Sequence, residues 1–140
     1  MKKLAGFFLM LVIAVCSGCR SDGKMLDFSA APQENIVVLT DDNFEAEVLK
    51  SEVVVFVDFW APWCPPCRDM NPIVAELAKE YNGLPIKFGA LDTSKNKKTS
   101  DEQKVEYIPR FAIYKDGKIV EELVGRKSKQ KLKEMIERHL

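Results

Sequence analysis

Cys64 and Cys67 stand two residues apart in Trp63-Cys64-Pro65-Pro66-Cys67, at the point where an apolar strand turns into a helix. Two cysteines at that spacing on a helix N-terminus can close a small disulfide ring. The first can also exist as a thiolate, because the unsatisfied N–H groups and the dipole of the helix end favour negative charge. Such an arrangement is redox chemistry, and the rest of the chain is read for what positions it.

The strand before the pair is Val53 to Phe59, a nearly continuous apolar run of the kind buried on both faces of a sheet. The helix after it is predicted from about Pro66 to Tyr81. Met70, Ile73, Val74, Leu77, Ala78 and Tyr81 lie on one side, Pro72 kinks it, and Asn82-Gly83 ends it. Upstream, Ile36-Val37-Val38-Leu39 reads as a short strand. Thr40 is an N-cap with Asn43 where a capping box prefers Glu or Gln, and a helix runs to about Ser51. Downstream come a strand at Ile86 to Leu91 and a polar stretch, Asp92 to Lys104, whose clustered Lys95, Lys97 and Lys98 read as a solvated face. A strand at Arg110 to Lys115, the hairpin signal Asp116-Gly117, a returning strand at Lys118 to Val124 and a helix at Ser128 to Leu140 complete the order. Strand–helix–strand implies parallel pairing and the hairpin an antiparallel pair. The expected class is α/β, with a mixed central sheet and helices on both faces.

The 140 residues suffice for one domain. Hydrophobic residues at 46% and charged residues at 30% suit a globular protein, and the zero formal charge gives no sign of a nucleic-acid partner. Residues 1–18 read as a signal segment: Lys2 and Lys3 precede the 12-residue apolar run Leu4 to Val15. Ser17-Gly18-Cys19 resembles a bacterial lipobox, with Cys16 where an aliphatic residue is usual. The resemblance implies cleavage before Cys19, lipidation of its sulfur and a membrane-anchored protein on the extracytoplasmic or periplasmic side, with soluble secretion as the alternative. Residues 19–35 read as a tether and residues 36–140 as the domain. A four-cysteine zinc site from Cys16, Cys19, Cys64 and Cys67 is disfavoured, since 44 residues separate the pairs against about 15–20 in zinc ribbons. No metal is expected.

From Ile36 to Leu140 the chain resembles thioredoxin. The residues that carry the likeness are Val57-Asp58-Phe59-Trp60-Ala61-Pro62-Trp63-Cys64-Pro65-Pro66-Cys67, then Pro72, Ile108-Pro109, Gly117 and Gly125. The resemblance implies the thioredoxin fold and thiol–disulfide exchange, with no cofactor beyond the Cys64–Cys67 disulfide. It makes Cys64 the exposed nucleophile, Cys67 the buried resolving thiol and Pro109 the cis-proline. Trp60, Trp63, Pro65, Pro66, Ile108 and Pro109 would form the substrate-binding surface, the backbone of Ile108 pairing with an extended substrate strand. Asp58 matches the family's buried carboxylate, whose raised pKa lets it exchange a proton with the resolving thiol. Two departures stand out. Phe88 takes the place where many thioredoxins have a lysine near that carboxylate, and Pro65-Pro66 replaces the common Gly-Pro, which should shift the reduction potential.

The expected function is reduction of disulfides in exported proteins by a monomer, supplied by a membrane electron donor. The alternatives are a thioredoxin-like binding module or holdase, or a disulfide oxidase or isomerase.

Overall fold

The computed structural model describes residues 33–140; the signal segment, Cys19 and most of the tether lie outside the described residues. Five strands form one sheet in the order β1-β3-β2-β4-β5. They are β1 (Ile36–Leu39), β2 (Val54–Trp60), β3 (Ile86–Asp92), β4 (Arg110–Lys115) and β5 (Lys118–Val124). β1, β3 and β2 run parallel, while β4 is antiparallel to β2 and β5 to β4. This is the mixed sheet expected from the order of elements. Asp116 (φ 52°) and Gly117 (φ 73°) both take positive φ, as a two-residue hairpin turn between twisted strands requires.

β2 is central and buried at every residue, so its alternation assigns each side chain to one of two cores. On one face Phe56 and Trp60 join Phe88, Phe111 and Ile113 beneath two helices, α1 (Pro65–Glu80) and α3 (Lys129–Glu137), which supply Met70, Val74, Leu77, Leu132, Met135 and Ile136. On the other face Val55, Val57 and Phe59 pack with Leu39, Phe44, Val48, Leu91, Ala112 and Tyr114. Asp58 shares the parity of Phe56 and Trp60. It therefore faces the core that also contains Cys64 and Cys67.

Two expectations change. The helix predicted up to about Ser51 is a single π-helical turn, Glu45–Leu49. Its start is nonetheless a reciprocal box built on asparagine: Thr40 N–H donates to Asn43 Oδ1 (2.7 Å) and Asn43 N–H to Thr40 Oγ1 (3.3 Å). Phe44, Val48 and Leu49 already bury its apolar side, and the polar Lys50-Ser51-Glu52 that follows offers nothing to extend it. The C-terminal helix also stops at Glu137, leaving Leu140 exposed. The polar stretch after β3 holds a short helix, α2 (Lys97–Glu102), with its lysines outward. α1 continues through Pro72, whose position faces solvent, where a missing N–H is least costly.

Candidate active site

The redox pair sits at the end of the sheet where β2 and β3 finish and β4 begins. Cys64 is the N-cap of α1, in extended conformation, and is joined to Cys67 by a disulfide with the Cα atoms 5.3 Å apart. Pro65 and Pro66 fill the first two helical positions, where proline's fixed φ suits a helix start. They also contribute no N–H. The first backbone donor of the helix is consequently that of Cys67, and it points at Cys64 Sγ at 3.3 Å. A sulfur capping a helix in this way is held where a thiolate gains from both the N–H and the helix dipole.

Cys67 is buried to 1% exposure, as expected for a resolving thiol. Cys64 is far less open than expected, at 4%, since in the closed ring each sulfur shields the other. The two tryptophans separate. Trp63 is 68% exposed beside Cys64, whereas Trp60 is 2% exposed. As an inward residue of β2, Trp60 belongs to the core under α1 and offers no surface wall. Its carbonyl anchors the neighbouring loop by accepting from Thr93 N–H (2.9 Å) and Thr93 Oγ1 (3.1 Å). Pro65 is exposed and Pro66 and Ile108 half-buried; Pro109 is buried, and the Ile108–Pro109 peptide is cis.

Asp58, on the core face that also contains the disulfide, is 1% exposed and in register with Ala90 of β3 and Phe111 of β4. Neither carboxyl oxygen has a hydrogen-bond partner among the described residues. Burial alone pushes its pKa up to about 8. Among the described residues no cation offsets that burial. Phe88, at the lysine-like position, packs against Phe56 (5.0 Å between ring centroids) and Tyr81 (6.2 Å). The adjacent Lys87 belongs to the opposite face, where its Nζ pairs with Glu47 at 3.0 Å. Lys87 is in register with Val55, three positions along β2 from Asp58 and on the other face of the sheet.

The loop carrying the cis-proline is pinned by residues that sequence reasoning passed over. Arg110, buried at the start of β4, donates through Nη1 to Gln103 O (2.8 Å) and through Nε to Glu122 Oε2 (2.9 Å). Its guanidinium lies 5.4 Å from the centre of the Phe59 ring. Tyr114 OH donates to Gln103 Oε1 (2.8 Å), and Gly125 N–H to Pro109 O (2.7 Å). A charged residue inside an apolar strand was the available signal for Arg110. Tyr107, 70% exposed next to Ile108, was also missed. Among the described residues no group of three or more His, Cys, Asp and Glu is placed to hold a metal.

A prediction follows from the helix start. Replacing Pro66 by Ala restores a second N–H toward Cys64 Sγ. A hydrogen bond to the charged thiolate is worth about 1.5–3 kcal/mol, so stabilising the reduced form should raise the reduction potential by about 30–65 mV. Equilibration with a glutathione buffer measures it; an unchanged or lower potential contradicts the capping argument.

Comparison with known proteins agrees with this geometry. The Thioredoxin family model matches residues 35–138. Thioredoxin of Bacillus subtilis is 43% identical over 105 residues, 75% of this chain and 98% of that protein. Thioredoxin 1 of Nostoc sp. is 42% identical over 102 residues, 73% and 94% of the two chains. The chloroplastic M-type thioredoxin of Chlamydomonas reinhardtii is 35% identical over 133 residues, 91% and 94% of the two chains. With the sheet, the capped Cys64–Cys67 disulfide and these matches in agreement, the chain belongs to the thioredoxin family and is a thiol–disulfide oxidoreductase acting on protein disulfides.

Proposed function

We propose that this chain reduces disulfides of exported proteins from the outer side of a bacterial membrane, held there by lipid on Cys19 and re-reduced by a membrane dithiol donor. The reductive direction draws its support from the likeness to thioredoxins, and the pairing of a helix-capping sulfur with a buried carboxylic acid on the same core face supports the exchange chemistry. The envelope setting draws its support from the signal-like residues 1–18 and Cys19. Among the described residues no helix is long and apolar enough to cross a membrane.

The reaction proceeds in two exchanges. Cys64 thiolate attacks one sulfur of the substrate disulfide; a Cys64–substrate bond forms, and the other substrate sulfur leaves as a thiolate that takes a proton from water. The fraction of Asp58 that has lost its proton to solvent then takes the proton of Cys67, whose sulfur attacks Cys64 Sγ. The Cys64–Cys67 disulfide forms, and the second substrate sulfur leaves. Two electrons have passed from the chain to the substrate. With Asp58 near 8, close to an ordinary thiol at about 8.5, the proton moves between them with little driving force either way. In recharging, protonated Asp58 returns its proton to the Cys67 sulfur as the donor dithiol opens the ring.

Cell fractionation and partner trapping test the setting. The parent chain should be recovered with membranes and a Cys19→Ala variant should not. Mixed disulfides trapped by Cys67→Ser should contain proteins made with export signals. Recovery of only cytoplasmic partners contradicts the envelope reading.

A further inference from the structure

One buried guanidinium closes the loop that leads into the cis-proline. Arg110 is the first residue of β4, and its side chain reaches back to the far end of that loop, where Nη1 donates to Gln103 O at 2.8 Å. Residues 104–109 are thereby held at both ends by a single residue. The backbone of Arg110, in register with Phe59 of β2, fixes the exit, and its side chain fixes the entry.

Other bonds make the two ends firm. At the entry Lys104 takes φ 53°, Val105 N–H donates to Ser100 O (2.9 Å), and Tyr114 OH donates to the Gln103 side chain. At the exit Gly125 N–H donates to Pro109 O. Between them Ile108 packs against both cores, one of which contains Cys64 and Cys67. A shift of the loop is therefore felt at the redox end.

The residue type matters. A guanidinium is a planar fork that reaches two acceptors at once and sits over an aromatic ring, where an ammonium is a point charge on a flexible stem. Nη1 takes the Gln103 carbonyl, Nε and Nη2 take Glu122 Oε2, and the group lies 5.4 Å from the centre of the Phe59 ring. The Arg110 side chain is 9% exposed and that of Glu122 48%. A buried charge whose partner stands half in water is a weak source of stability.

We propose that Arg110 is a positioning residue of the exchange reaction: by closing residues 104–109 it holds the Ile108 backbone where an extended protein substrate binds beside Cys64. This role rests on the oxidoreductase reading and names the residue that holds its substrate loop. Arg110 shares the parity of Ala112 and Tyr114, on the sheet face away from the disulfide, so it acts through the loop and not on the sulfurs. A disulfide carried in a protein chain depends on that backbone. A small disulfide, which meets only the sulfurs, does not.

Reduction of insulin and of glutathione disulfide by the same preparation tests this role. The readout is the ratio of the two kcat/KM values, which a loss of folded protein does not move. Arg110→Met keeps an apolar stem over Phe59 but donates no hydrogen bond. It should lower the ratio of insulin to glutathione disulfide by about 10-fold, through KM for insulin, as loss of one charge-assisted hydrogen bond implies. Its reduction potential should match the parent's. Arg110→Lys should lower the ratio in the same direction, and it carries the test if Arg110→Met does not fold. Glu122→Gln, which leaves the bond to Gln103 in place, should keep the parental ratio. A parental ratio in either folded Arg110 variant, a shifted potential, or a ratio that Glu122→Gln lowers as far as Arg110→Met overturns the proposal alone. A parent chain that reduces neither disulfide overturns the underlying reading as well.

Discussion

An Asp58→Asn variant is expected to gain on the parent chain in stability as pH rises from 4 to 8. In the folded chain Asp58 keeps its proton up to about 8, because burial penalises the charged form; in the unfolded chain it releases it near 3.8. Between those values the unfolded state binds fewer protons than the folded state, so each rise in pH favours unfolding. The parent is therefore most stable, as far as this group is concerned, below pH 4, and loses about 1.4 kcal/mol per pH unit up to about 8. The gap between variant and parent should widen by about 4 kcal/mol from pH 4 to pH 7 and stop widening above about 8. Taking the difference cancels the other titrating groups, and the slope is independent of how well the amide packs. Urea denaturation of both disulfide forms across that range measures it. A constant gap would mean that Asp58 is not held neutral. That stability loss is the counterpart of a proton acceptor kept dry beside the disulfide.

The second large effect separates the two cysteines. Cys64→Ser should abolish disulfide reduction, because a hydroxyl at neutral pH cannot replace the thiolate in the first attack. Cys67→Ser should carry out that first attack and then stop, accumulating a mixed disulfide through Cys64. Asp58→Asn should complete the cycle but slow the resolving step by about 100-fold, the low end of general acid–base contributions. Stopped-flow measurement of substrate thiol release, with mass analysis of the trapped species, distinguishes the three. A mixed disulfide in Cys64→Ser, formed through Cys67, would reverse the assigned order.

Where the sequence was legible, one local signal sufficed. The nearly continuous apolar run of β2, the Asp116-Gly117 turn and the spacing of Cys64 and Cys67 each marked an element without reference to the others. The first helix was misjudged because Phe44, Val48 and Leu49 satisfy helical spacing over a single turn as well as over two. Trp60 and Trp63 looked alike in sequence. Trp60 ends a strand that is buried at every residue, whereas Trp63 lies beyond the strand end and is exposed. Strand parity makes Asp58 solitary, since Lys87 falls on the wrong face and Phe88 takes the right one. Arg110 was passed over because its role depends on a partner across the hairpin, Glu122. Periodicity reports which face a residue takes, but not what another segment brings to it.

The most direct test of the central claim is a stoichiometric one. Fully reduced chain is mixed with insulin without any other reductant, and thiols on both partners are counted by mass after alkylation. The account predicts that each insulin disulfide opened is matched by one chain in which Cys64 and Cys67 have become a disulfide. Insulin left intact while Cys64 and Cys67 both remain thiols would contradict it.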